Sequence, residues 1–454
     1  MFSPALKPQA GSGPFSGPLA RHTTALAGGI VLALSTAPAI TQAAAPSDWS
    51  KIPATNLTLF YPGQSSRDWL LSKKHRRANK HVAKGEACES CHEGEEAEIG
   101  DKLVSGKRLE PMPVKGKNGH VELALQVAYD NDYAYFRAKW KTHNPYPGYA
   151  HPYFRFDGKK WQAYGHPKLD KVVQDGEQPG IYEDRFSVMV DDGSVPGFAN
   201  QGCWLTCHNG ERDMPNVAGR AAVKANPILG DKGKKKHDVR KYLELTRNGG
   251  GWNDTKSKEE IAKLKAAGKF LDLFQWRGHR SNPVGMSDDF YVLEYRNQDA
   301  GKGPFSKNWD KKKHQPKYMY DASRFGASVT HMDQIRKKPT ALIREKNAVP
   351  FDPNMQFKVG DMVPEYLLSR VDAKGSAADN KMSRGVWKDG MWTVVEARKL
   401  NLQNPDDKAL LPGHVYNMGF AIHDDNITTR GHFVSFPITV GFGTKARIEA
   451  TKVN

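Results

Sequence analysis

Apolar residues fall on alternate positions through much of the chain, the period of a strand with one buried face. Val121, Leu123, Leu125 and Val127 alternate with Glu122, Ala124 and Gln126, and Ala134, Phe136, Ala138 and Trp140 alternate with Tyr135, Arg137 and Lys139. Asp130-Asn131-Asp132 between them supplies turn chemistry, so residues 121–140 are predicted to form a hairpin. Strand-like runs recur at residues 185–190, 271–276, 290–295, 392–399, 415–423 and 433–442. Two segments read instead as helices. Residues 67–84 carry Trp69, Leu70, Leu71, Ala78 and Val82 as apolar members, and Ser257-Lys258-Glu259-Glu260 resembles a capping box that opens a helix closed by Gly268. Short strands separated by Gly, Asn and Asp turns predict a mainly β chain, an antiparallel sandwich or barrel.

Composition narrows the class. The 454 residues are 38% hydrophobic with a mean hydropathy of −0.66, which excludes a polytopic membrane protein, and ten Trp argue against disorder. Lys and Arg outnumber Asp and Glu by 67 to 50, a field that favours anionic partners or surfaces. The first 43 residues have the three parts of an export signal: basic Lys7 and Arg21, an apolar stretch over residues 25–40, and the small-residue exit Thr41-Gln42-Ala43. The apolar part is shorter than the roughly 20 residues that span a bilayer. Cleavage after Ala43 is therefore expected, giving a periplasmic protein with no nucleic-acid partner. The expected organisation is a signal peptide (1–43), an N-terminal segment (44–110) with the first pair of cysteines, and a β domain (111–454) with the second. Lys232, Lys234, Lys235, Lys236, Arg240 and Lys241, and the run Lys311-Lys312-Lys313, read as exposed loops, either solvated surface or a docking rim for an acidic partner.

The four cysteines carry the chemistry. Cys88-Glu89-Ser90-Cys91-His92 is the C-x-x-C-H attachment signature of c-type haem, and Cys203-Trp204-Leu205-Thr206-Cys207-His208 is the same pattern with one extra residue. Such spacing lets two thiols bond one porphyrin while the adjacent imidazole reaches the iron from below. A structural zinc or disulfides would account for the cysteines. Neither requires a His after each pair, and the pairs stand more than 110 residues apart, unlike a zinc ribbon. Two covalent haems are expected, held by Cys88, Cys91 and His92 and by Cys203, Cys207 and His208. For the sixth iron position, His75 and His81 are the candidates at the first haem, and Met214 and His279 at the second.

At this point the residues resemble the ethylbenzene dehydrogenase-related haem-binding proteins, also called cytochrome c-552/DMSO reductase-like haem-binding domains, in a di-haem c-type form. The resemblance rests on Leu59-Phe60-Tyr61-Pro62-Gly63-Gln64-Ser65-Ser66, on Gly85 through Glu96, on Gly202 through His208 with Arg212-Asp213-Met214-Pro215, on Asp272 through Pro283 with Asp288-Asp289, and on Gly390 through Leu400. It implies an immunoglobulin-like or carbohydrate-module-like β-sandwich and a role in periplasmic electron transfer. Its better-known members bind haem b through Met and Lys, a ligand set that does not transfer to a chain holding haem covalently. A third, non-covalent haem b is a further possibility. The function expected is electron relay between a membrane-bound quinol dehydrogenase or cytochrome donor and a periplasmic reductase, dehydrogenase or cytochrome acceptor. The alternatives are a di-haem peroxidase-like enzyme and a glycan-binding module using Trp161, Trp252 and Trp387.

Overall fold

The computed structural model describes residues 45–106, 114, 116–142, 151–231 and 236–454, which belong to one compact unit, Ala43–Asn454. The expected signal peptide and Lys232, Lys234 and Lys235 lie outside the described residues.

Among those residues, thirteen strands build one sheet: β1 (Thr55–Phe60), β2 (His120–Tyr129), β3 (Tyr133–Lys141), β4 (Arg185–Asp191), β5 (Leu271–Arg277), β6 (Asp288–Val292), β7 (Arg296–Gln298), β8 (Arg384–Lys388), β9 (Met391–Lys399), β10 (Val415–His423), β11 (Phe433–Val434), β12 (Ile438–Phe442) and β13 (Ile448–Lys452). Their order is β8-β9-β3-β2-β1-β11-β10-β4-β5-β6-β7. β13 pairs in parallel with both β2 and β12, and β12 pairs with β10. That closes β1, β2, β13, β12, β10 and β11 into a ring, so the chain is mainly β with a barrel-like sheet. The predicted hairpin forms as β2 and β3, and the Asp130 carboxylate accepts the amides of Asp132 and Tyr133 at 2.7 and 2.6 Å across its turn.

Alternation puts Leu59, Leu123, Leu125, Phe136, Phe186 and Phe274 in the interior, all fully buried. Trp140, Trp276 and Trp392 meet at ring-centre distances of 4.8 to 6.2 Å. The indole of Trp392 donates to Asp184 at 2.7 Å and that of Trp276 to Asn282 at 3.0 Å, so neither buries an unmet N–H. Trp161 packs among Phe156, Phe351 and Phe357, and Trp387 packs against the main core, as structural tryptophans do.

Three expectations are corrected. Residues 67–84 are not one helix: Arg67–Leu70 and Asn79–Ala83 are separate turns flanking the 3-10 segment Lys73–Ala78, which is kinked where Arg76 takes φ 49°. Ser72 causes the break, accepting the amide of Lys74 and starting the chain again. The run 433–442 is two strands, because Pro437 has no N–H for the ladder. The run 290–295 is displaced: the strand spans Asp288–Val292, where Arg277 and Asn380 meet the carboxylates of Asp288 and Asp289, and residues 293–295 form a bend. The capped helix forms as expected over Lys258–Ala266, with both capping-box bonds between Ser257 and Glu260.

Candidate functional site

The first cysteine tag occupies one turn, Glu89–His92, whose amides close back on the Cys88 carbonyl at 3.1 and 3.2 Å. Gly94, at φ 77°, lets the chain turn away immediately afterwards. Cys91 is exposed and Cys88 half-buried, its thiol pushed up to about 11 chiefly by burial. Opposite the tag, the kink at residues 75–76 turns His75 toward His92. Their ring centres lie 6.3 Å apart with planes 18° from parallel. Two imidazole nitrogens bound to one metal at about 2 Å each place their ring centres about 6 Å apart. His75 Nδ1 faces the Leu70 carbonyl at 3.2 Å and His92 Nδ1 faces Glu95 at 2.9 Å, which leaves Nε2 of each ring as the nitrogen for a metal. The other candidate, His81, is exposed and turned to Glu86 at 2.7 Å.

The second tag lies on the 3-10 turn Gly202–Thr206, entered through Gly202 at φ 54°, where the adjacent Pro437 ring leaves little room for a side chain. Cys203 lines a cavity of about 640 Å³, within the ordinary range of cofactor pockets. Cys207 is buried, with its sulfur 3.2 Å from Lys241 Nζ and 3.0 Å from Arg430 Nη1. His208 is buried as well and stacks on Tyr242 at 4.2 Å, with Nε2 facing the Leu205 carbonyl at 3.2 Å. Burial holds its pKa near 4, keeping the imidazole neutral, as a metal ligand must be.

The cavity wall is cationic. Arg185, Arg277, Arg280, Arg296, Arg430 and Lys241 line it, with Glu211, Asp213 and Asp170 as its acids. Arg280 is answered by Glu183 at 2.6 Å. Arg296 and Arg185 are pushed down to about 9 and about 10, first by burial, with neighbouring arginines adding to it. Such a wall suits a dianionic guest. Arg240 and Lys241, expected on an exposed rim, turn inward to this wall, whereas Lys311, Lys312 and Lys313 are exposed.

The tags meet. Phe60, Trp204 and Phe436 form one aromatic cluster with ring centres 5.0 to 5.8 Å apart, and both Cys88 and Cys203 pack against it. Polar bonds fasten the same seam. The Cys88 amide donates to the Asn200 carbonyl at 3.0 Å, Gln201 to the Val82 carbonyl at 2.9 Å, and the Asn209 amide to Asp68 at 2.7 Å. Segments that are remote in sequence are thus held as one site.

Residues 46–435 match the family described as ethylbenzene dehydrogenase. The chain belongs to the ethylbenzene dehydrogenase family. Cytochrome c-552 of Stutzerimonas stutzeri is 27% identical over 425 residues, 93% of this chain and 96% of that protein. Cytochrome c-551 of Rhodocyclus tenuis is 27% identical over 175 residues, 37% of this chain and 58% of that protein.

In this ethylbenzene dehydrogenase-family chain, Cys203 lines the cavity wall, and the other second-haem candidates, Cys207, His208, Met214 and His279, do not. His279 is fully buried beside His151 and Tyr153, with ring centres at 5.7 and 6.5 Å, and Met214 is buried in the turn after Glu211. Two residues that sequence reasoning passed over do line it. His423 and His432 stack at 4.9 Å, and His423 Nδ1 receives no hydrogen bond. Their signal was positional: one ends the predicted strand at 415–423 and the other immediately precedes that at 433.

Proposed function

We propose that this protein is an exported di-haem c-type cytochrome of the periplasm that relays electrons. The observation that carries the reading is the shared Phe60–Trp204–Phe436 cluster, which puts both cysteine tags against the same few side chains. Bound there, haem supplies a reversible one-electron iron couple. Cys88 and Cys91 would tether the first, with His92 and His75 gripping the iron. Cys203 and Cys207 would tether the second, with His208 as proximal ligand and the arginine-lined cavity receiving the macrocycle and its carboxylates. His423 is the cavity imidazole proposed for the remaining iron position. The cytochrome names of the two relatives support haem as the cofactor.

Exposure of Cys91, and of Lys73, Lys74, Arg76, Arg77 and Lys80 on the segment that carries His75, supports docking of an acidic partner at the first site. A quinol-linked or cytochrome donor and a periplasmic acceptor are the proposed partners. No helix among the described residues is long and apolar enough to cross a membrane. The sandwich architecture implied by the family resemblance is part of the proposal, supported by strands whose inward residues form a common core. Reductive titration tests the function. Two one-electron iron couples per chain and rapid exchange with a small acidic redox protein are expected. Irons that turn over peroxide but exchange no electrons with such a protein would replace relay by peroxidase chemistry.

A further inference from the structure

Off the cavity wall, strands β5 and β6 run side by side and place Asp272 and Asp289 on one face, where the chain end of β7 and the loop before β10 bring Asp299, Asp406 and Asp407. One carboxylate oxygen from each of Asp272, Asp289 and Asp407 lies within 4.8 Å of the other two, all three residues being buried. Arg398 engages this group from one side, bonding both oxygens of Asp272 and reaching Asp407 at 2.8 Å. Lys408 is the other nearby cation, and its ammonium is taken by Asp192 at 2.8 Å. Five carboxylates therefore face essentially one guanidinium in a dry interior, an imbalance that costs heavily unless something else neutralises it.

A second observation points to what that is. Asp299 is 4% exposed, and neither of its oxygens has a hydrogen-bond partner. Asp299 continues the β6–β7 register opposite Asp289, its amide donating to the Asp289 carbonyl at 3.3 Å, so the two carboxylates project from the same face of the sheet. Asn380, 1% exposed, donates its amide to Asp289 at 2.8 Å and leaves its carbonyl oxygen without a partner. Asp289 Oδ1 and Asp406 Oδ1 likewise accept no hydrogen bond. Unmet oxygen acceptors thus cluster with no nitrogen or sulfur ligand among them. We propose that Asp289, Asp299 and Asp407, assisted by Asp272 and Asn380, hold a buried calcium ion. Oxygen-only donors exclude the softer metals, and a site enclosed by protein suits calcium, which accepts six to eight oxygens in flexible geometry, better than magnesium, which retains its waters. The ion ties the β5–β6 edge to the loop at 404–408 and acts as a structural staple.

The test is metal analysis of the full-length protein purified without chelator, together with thermal unfolding. About one calcium per chain is expected, with a melting temperature that drops by several degrees in excess chelator and recovers with calcium but not with magnesium. Asp299→Asn, which keeps the side-chain shape, abolishes both the bound calcium and the chelator response while the visible haem spectrum is unchanged. Two results would overturn the site: calcium at background level, or a melting temperature insensitive to chelator and to added calcium while it responds to pH. The second would mean that Asp299 meets its neighbours as a protonated acid. Haem content is read separately from the same sample, so failure of the calcium site and failure of the cytochrome reading are distinguishable.

Discussion

Replacing His75 with alanine removes one of the two imidazoles that face each other across the first tag. What the fold loses is small. Besides facing His92, the His75 ring makes one long hydrogen bond, to the Leu70 carbonyl at 3.2 Å, and one further ring contact, to Trp69 at 5.3 Å. Each is worth about 1 kcal/mol, so the substitution costs about 1–2 kcal/mol against the 5–15 kcal/mol typical of a folded domain. The iron loses far more, namely one of its two strong-field nitrogens. Electron paramagnetic resonance of the ferric protein should therefore show about half of the low-spin signal replaced by high-spin iron. Millimolar imidazole, entering the vacated space, should restore it. His81→Ala is the companion, expected to leave the spectrum unchanged because that ring is turned to Glu86. An unaltered spectrum for His75→Ala in a folded protein, or loss of low-spin iron in His81→Ala, would refute the reasoning.

Other expectations follow from the same geometry. His423→Ala should change the spectrum of the second iron whereas Met214→Ala should not; the reverse outcome would return the sixth position to the methionine. Gly385→Ala should lower the melting temperature by several degrees, because the added methyl would stand 2.2 Å from the Trp276 ring, and overpacking of this kind costs about 1–3 kcal/mol; an unchanged melting curve would contradict that packing. Lys117 is buried with its ammonium 3.6 Å from the centre of the Phe433 ring, and burial pushes its pKa down to about 7. The unfolded chain binds that proton up to about pH 10.4, so Lys117 costs stability as pH falls from there to about 7, by at most about 1.4 kcal/mol per pH unit. Lys117→Met should thus be stabilising by urea unfolding at pH 7 and nearly neutral at pH 10.5; an equal gain at both would mean that the charge is not the cause.

The strands were legible because alternation and turn chemistry are local: the 121–140 hairpin and the Ser257 cap could be read from a dozen residues each. The cysteine tags were legible for the same reason. The path of residues 67–84 was not, since Ser72 ends one turn by a side-chain bond that competes with an otherwise helical composition. That break is what brings His75 to His92, so the residue could be nominated from sequence but its geometry could not. At the second tag the sequence offered Met214 and His279, yet cavity access is decided by which strand ends converge, and β10 and β11 deliver His423 and His432 from more than 200 residues away. Arg240 and Lys241 show the converse. In a linear reading they belong to a basic surface run, but pairing of Glu211 with Val239 brings Arg240 and Lys241 to the cavity wall.

The central claim is that both cysteine tags carry covalently tethered haem. Intact-mass measurement of the protein exported by a host with working cytochrome maturation machinery tests it most directly. A mass exceeding the processed polypeptide by two haems, unchanged after acid–acetone extraction, is the predicted result; a mass equal to the bare polypeptide would contradict it.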